Sequence, residues 1–235
     1  MLSRRQFCCS GAIAASLLTV DQSFAASQCE ALTQATQSAI SPDDALARLK
    51  EGNERFVSGK SINCDLMAQV QATANGQYPF AVVIGCIDSR VPPEFVFDQR
   101  IGDIFSARVA GNVINDDIVG SAEFAAKLAG AKLIVVLGHS QCGAVKGAVD
   151  GAELGKLTGL LAKIHPAIEA NKNEPGEHTS KNGGFVQAVA LDNAKLGVEM
   201  LTKKSTVLSE LVADRKLMIV PAMHDVATGR VTFMS

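Results

Sequence analysis

The sequence predicts an α/β fold: a central, mainly parallel β-sheet flanked by helices, with an N-terminal helical arm and a C-terminal hairpin. Three observations carry this. From Pro79 onward the apolar residues fall in continuous runs of strand length, at 80–84, 104–109, 133–137 and 217–220, as expected of strands buried on both faces. Helical segments lie between them, at 115–129, 142–149, 157–170 and 185–213, and regular alternation of strand and helix builds a parallel sheet covered by helices. The chain of 235 residues is 47% hydrophobic and 20% charged, enough to bury a sizeable core in one domain.

Before these elements, residues 29–40 are rich in Ala, Gln and Thr. Ser41-Pro42-Asp43-Asp44 then supplies an N-cap, a proline suited to the first helical turn and early acidic residues. A helix over about 42–57 follows, with Ala45, Leu46, Leu49 and Phe56 on one stripe and Gly59 ending it. The arm spans about 30–60. The stretch 171–184, rich in Asn, Lys, Glu and Gly, reads as an exposed loop, and Thr228-Gly229-Arg230 as the turn of the terminal hairpin. No repeat or linker divides residues 26–235.

A formal net charge of −2 without a cluster of Lys and Arg gives no basis for a nucleic-acid partner. Residues 1–25 read as an export signal. Ser3-Arg4-Arg5-Gln6-Phe7 precedes an apolar segment at 11–20, about half the length of a membrane span, and Ser23-Phe24-Ala25 is a small-x-small cleavage pattern. The order resembles a twin-arginine signal and predicts a periplasmic or secreted protein. Removal of 1–25 would leave Cys29, Cys64, Cys86 and Cys142 in an oxidising compartment.

Ligands in open α/β sheets collect at the carboxyl ends of the strands, and two such ends carry the reactive residues. The run 80–84 leads into Gly85-Cys86-Ile87-Asp88-Ser89-Arg90, and the run 133–137 into Gly138-His139-Ser140-Gln141-Cys142-Gly143. Taken singly, a strand-end Cys is usually a small buried apolar group and a His a satisfied core residue. Together, two thiols and one imidazole make a Cys₂His set suited to Zn²⁺, which keeps a fourth position open for water or an anion. Asp88, two residues after Cys86, can reach the metal or the Arg90 guanidinium, which favours bidentate pairing.

On Cys-x-Asp-Ser-Arg at 86–90 and His-x-x-Cys at 139–142 the sequence resembles the β-class carbonic anhydrases, from about Ser41 to the C-terminus. Gly102-Asp103-Ile104-Phe105 and Ala110-Gly111-Asn112 are also similar to family sequences. The resemblance implies one Zn²⁺ on Cys86, His139 and Cys142, and a catalytic dyad of Asp88 and Arg90. It places Gln77, Phe105, Ala110, Phe124 and the Gly143 N–H around CO₂ or bicarbonate, with Phe124 where some members have Tyr, and it implies a homodimer or homotetramer. In the implied reaction zinc acidifies its water, hydroxide attacks CO₂ and bicarbonate leaves. Two thiolates offset the zinc charge, so activity should favour alkaline pH. Some bacterial members bind an inhibitory bicarbonate through a Trp three residues before the first zinc Cys; Val83 stands there, and the chain has no Trp.

Two other functions fit parts of the pattern: hydrolysis of another heterocumulene, such as carbonyl sulfide or carbon disulfide, on the same architecture, or a non-catalytic zinc or thiol redox role. Gln77, Asp88 and Arg90 count against the latter, since storage needs neither a dyad nor a substrate clamp. His165, His178 and His224 are expected in ordinary solvated positions. Cys29 and Cys64, without a metal role, are expected to form a disulfide after export.

Overall fold

The computed structural model describes residues 29–234; the twin-arginine and cleavage motifs lie outside the described residues. In the arm, α1 (Gln34–Ser38) precedes α2 (Pro42–Val57) and α3 (Leu66–Thr73). Ser41 and Asp44 close a reciprocal capping box at the start of α2, each side chain accepting the other's backbone N–H at 3.1 Å. Neither α1 nor α3 stood out in the sequence, because both are short and lie amid polar residues.

The sheet follows as β1 (Ala81–Gly85), the short α4 (Pro93–Val96), β2 (Ile104–Arg108), α5 (Asp116–Glu123), β3 (Leu133–His139), α6 (Gly143–Val149), α7 (Gly155–Leu161), α8 (His165–Ala170), α9 (Gly183–Lys204), α10 (Thr206–Ala213), β4 (Met218–His224) and β5 (Val231–Phe233). Strand order is β2-β1-β3-β4-β5; the first four are parallel, and β5 runs antiparallel to β4 as the terminal hairpin. Three predicted helices are refined. The 115–129 helix widens after α5 into a π-turn at Phe124–Leu128, where the Ala129 N–H reaches the Phe124 carbonyl. The 157–170 helix is broken by a 3₁₀ turn at Ala162–Ile164, and Pro166, which has no N–H to bond back, sits in the first turn of α8. The 185–213 helix is two helices, since Ser205 turns extended (φ −124°, ψ 112°) and caps α10 through the Leu208 N–H.

Side chains of β1 and β3 alternate between two cores, as the pleat requires. Val82, Ile84, Ile134 and Val136 pack with residues of α5, α9 and α10, while Ala81, Val83, Leu133, Val135 and Leu137 pack with residues of α2 and α4. A third cluster caps the carboxyl ends and contains Cys86, Cys142, Val145 and Phe185. From β1 the chain moves outward to β2 and then crosses back to place β3 on the other side of β1. The reversal leaves a crevice between the carboxyl ends of β1 and β3.

Candidate metal centre

Cys86 immediately follows β1, His139 ends β3 and Cys142 precedes α6, so the crevice receives all three. Gly85 pairs in register with Leu137, which brings the two strand tips level. An added Cβ at Gly138 would stand 2.6 Å from Met223 Sδ and 3.2 Å from the Ala190 carbonyl oxygen, so a larger residue at that strand end would have to push the methionine aside. The two Sγ atoms and an imidazole nitrogen of His139 lie within 4.8 Å of one another, all three residues are buried, and no other such group of three occurs among the described residues.

The imidazole is oriented for a metal. His139 Nδ1 lies 2.9 Å from the Ser140 carbonyl oxygen, which can only accept; Nδ1 therefore carries the proton and Nε2 presents a lone pair. Nε2 is buried without a hydrogen-bond partner, which a cation would supply. The sulfurs share a proton. The hydrogen bond from Cys142, with the Gly111 N–H at 3.2 Å, brings the Cys86 thiol down against burial, while its thiolate pushes Cys142 up. A soft cation displaces that proton, so the donor set fits zinc.

Asp88 is engaged by Arg90. Its Oδ1 accepts from Arg90 Nε at 2.9 Å and from the Arg90 backbone N–H at 3.0 Å, and its Oδ2 accepts from Arg90 Nη2 at 2.8 Å. This fork holds the carboxyl well below the usual carboxylate range. Oδ2 remains 4.0 Å from His139 Nε2, beside the metal position. Arg108 had no signal in the sequence beyond its place at the end of a buried strand, yet it fastens the turn: Nε donates to the Cys86 carbonyl at 2.8 Å and Nη2 to the Asp88 carbonyl at 2.6 Å.

The remaining site residues divide into two groups. Ala110 adjoins Gly111, whose N–H is on the Cys86 sulfur, and Gly143 follows Cys142 on exposed backbone with no atom within 4 Å of where a Cβ would stand. Phe105 and Phe124 meet edge to face at 6.2 Å and line an open cavity of about 720 Å³ along the β2 edge, with none of the three metal donors in its wall. Gln77 is exposed on the segment between α3 and β1. His165 and His178 are exposed as expected; His224 is not solvated. It pairs in register with His139 and is buried with both ring nitrogens unpartnered, and burial lowers its pKa.

Comparison with known proteins gives the same architecture. A family model described as carbonic anhydrase matches residues 81–231. "Carbonic anhydrase 2" of Mycobacterium tuberculosis (strain ATCC 25618 / H37Rv) is 36% identical over 195 residues, 80% of this chain and 91% of that protein. A carbonic anhydrase of Mycolicibacterium smegmatis is 34% identical over 198 residues, 83% and 94% of the two chains. Among solved structures, the β-carbonic anhydrase CafA of Aspergillus fumigatus superposes with a TM-score of 0.65 at 28% identity, covering 82% of this chain and 90% of that one. With the crevice, the Cys₂His set and the Asp–Arg fork in place, the chain belongs to the β-class carbonic anhydrases, zinc enzymes of reversible CO₂ hydration.

Proposed function

We propose that Cys86, His139 and Cys142 hold one zinc per chain and that Asp88 and Arg90 serve it as a dyad in CO₂ hydration. The observation carrying this is the three donors gathered within 4.8 Å while Arg90 keeps both oxygens of the neighbouring carboxylate engaged. Bound zinc supplies a Lewis acid that makes water a nucleophile near neutral pH. Asp88, held by Arg90, would not compete with water for the metal, and its Oδ2 would be available to accept a hydrogen bond from that water. A carboxylate held so far below neutrality is a poor proton carrier, so its part is orientation. The Gly143 N–H, in the first turn of α6 where helix donors lack internal partners, is placed to hold a bicarbonate oxygen. Stopped-flow CO₂ hydration by zinc-loaded protein tests the assignment. Turnover should be present in the native chain and fall to the buffer rate in Cys142→Ser.

Gln77, Phe105 and Phe124 complete the pocket in an assembly of two or four chains. Supporting this, Phe124 is 51% exposed, Leu128 76% and Phe95 71%, an apolar surface uncommon on a free monomer, and β-carbonic anhydrases of Sordaria macrospora, 26% identical with a TM-score of 0.63, are described as tetrameric. Light scattering should give a mass of two or four chains. The protein is exported through the twin-arginine motif at Arg4-Arg5. The Cys29–Cys64 disulfide, with Cα atoms 5.6 Å apart, is consistent with an oxidising compartment. Replacing both arginines by lysine should retain the activity in the cytoplasmic fraction. No described helix is long and apolar enough to cross a membrane.

A further inference from the structure

We infer that Asn193 is a positioning residue for the zinc centre, acting through Gly111 on the Cys86 sulfur. Asn193 lies on α9, 82 residues beyond Gly111, and is 7% exposed. Its Nδ2 donates to the Gly111 carbonyl at 2.8 Å, and the Gly111 N–H donates to Cys86 Sγ at 3.2 Å. Only the Gly111 Cα separates the two peptide groups that make these bonds. That residue stands at φ +67°, in the left-handed region, and an added Cβ would come within 2.8 Å of Ile164 and 3.2 Å of Ala144, so the turn packs too closely to take a side chain. The amide on α9 thus anchors the second peptide, one Cα away from the first, whose N–H is on the sulfur.

The consequence is electronic as well as geometric. An N–H donated to a thiolate draws charge from sulfur, makes it a weaker donor and leaves the metal a stronger Lewis acid; outer hydrogen bonds tune metal sites in this way. With two thiolates already opposing acidification of water, the Gly111 N–H works toward turnover nearer neutral pH. Asn193 holds that donor on target.

The inference rests on the zinc assignment, which metal analysis of the native protein tests separately. Cobalt-substituted Asn193→Leu should show its thiolate-to-metal charge-transfer band at longer wavelength, and the midpoint of its kcat–pH profile at higher pH. Its zinc affinity by chelator competition should fall about tenfold. A variant with a lowered Tm but native band, affinity and pH midpoint would overturn the inference, since a residue that only packs α9 against the Ala110–Asn112 turn moves stability alone. If Asn193→Leu fails to fold, Asn193→Ala is read by the same three measurements. In the native protein loaded with ¹¹³Cd, the Gly111 amide proton should couple to the metal through the sulfur; absence of coupling also overturns it.

Discussion

Two pairs of cysteines in this chain have opposite chemistry. Cys86 and Cys142 are free thiols at the carboxyl ends of buried elements, sealed by Val145, Phe185 and Met223 and joined by an imidazole. Cys29 and Cys64 sit half-buried in irregular segments beside α1 and α3, with no imidazole in their group, and are bonded to each other. The difference lies in the third partner and in solvent. A thiolate beside a nitrogen lone pair and out of solvent is a metal ligand, whereas two half-exposed thiols at the right separation close on each other. One pair serves the reaction and the other closes the arm on itself.

The largest effect comes from removing the third partner. His139→Ala should abolish hydration and zinc retention while the circular dichroism stays close to native, since the sheet does not depend on the imidazole. It should also make the inner pair resemble the outer one, with Cys86 and Cys142 oxidised by glutathione disulfide at a rate the zinc-loaded protein does not show. Thiol titration after exposure to that oxidant is the measurement, and two thiols still free would mean that burial alone protects them.

Next comes the fork. Arg90→Lys keeps the charge but loses the paired donors, so Asp88, whose Oδ2 lies 4.0 Å from His139 Nε2, is free to turn toward the metal position. Turnover should fall about 100-fold with zinc retained. The pH dependence has a definite sign. A carboxyl depressed on folding adds stability above its unfolded pKa and loses it as pH falls, so native Asp88 stays ionised throughout the working range. The lysine variant should lose its residual activity at a higher pH than the native enzyme.

The inner pair was legible because everything around it is local. Each ligand lies next to a glycine at the end of an apolar run, and the strand period makes such runs visible without tertiary information. Asp88 and Arg90 lie close enough in sequence for their pairing to be anticipated. Arg108 and Asn193 were not legible. They act on Cys86 from 22 residues away and, through Gly111, from α9, and nothing in the composition around them marks the contact. The arm was half legible: the α2 capping box shows in Ser41 and Asp44, whereas Gln37, whose buried Nε2 donates to Pro79 and Ala129 carbonyls at 2.7 Å each, looks like any surface glutamine until the arm is folded down. The breaks in the long helices were missed because apolar spacing continues across Ser205 and Pro166 even where the backbone does not.

Opening the outer pair should move stability and leave turnover nearly alone. The disulfide closes a separation of 35 residues, so Cys29→Ser should cost about 3–4 kcal/mol by chain entropy. For a chain of this size that is roughly a 10 °C fall in Tm. Gln37 still ties the arm to the β1 entry, so kcat/KM at 25 °C should stay within about twofold of native. Cys64→Ser should match it, because the loss belongs to the closed loop and not to either side chain.

The smallest expected effect tests how far the inner pair's neighbourhood extends. Val83 is buried on the face of β1 packed with α2 and α4, three residues before Cys86. A bicarbonate taken up there would need an indole N–H or another donor to offset its desolvation, and valine offers only methyl groups. Bicarbonate should therefore inhibit only by occupying the metal position, with a Hill coefficient of one, unaltered in Val83→Ile. Cooperative inhibition that disappears in that variant would mean that the core beneath Cys86 takes a second anion after all.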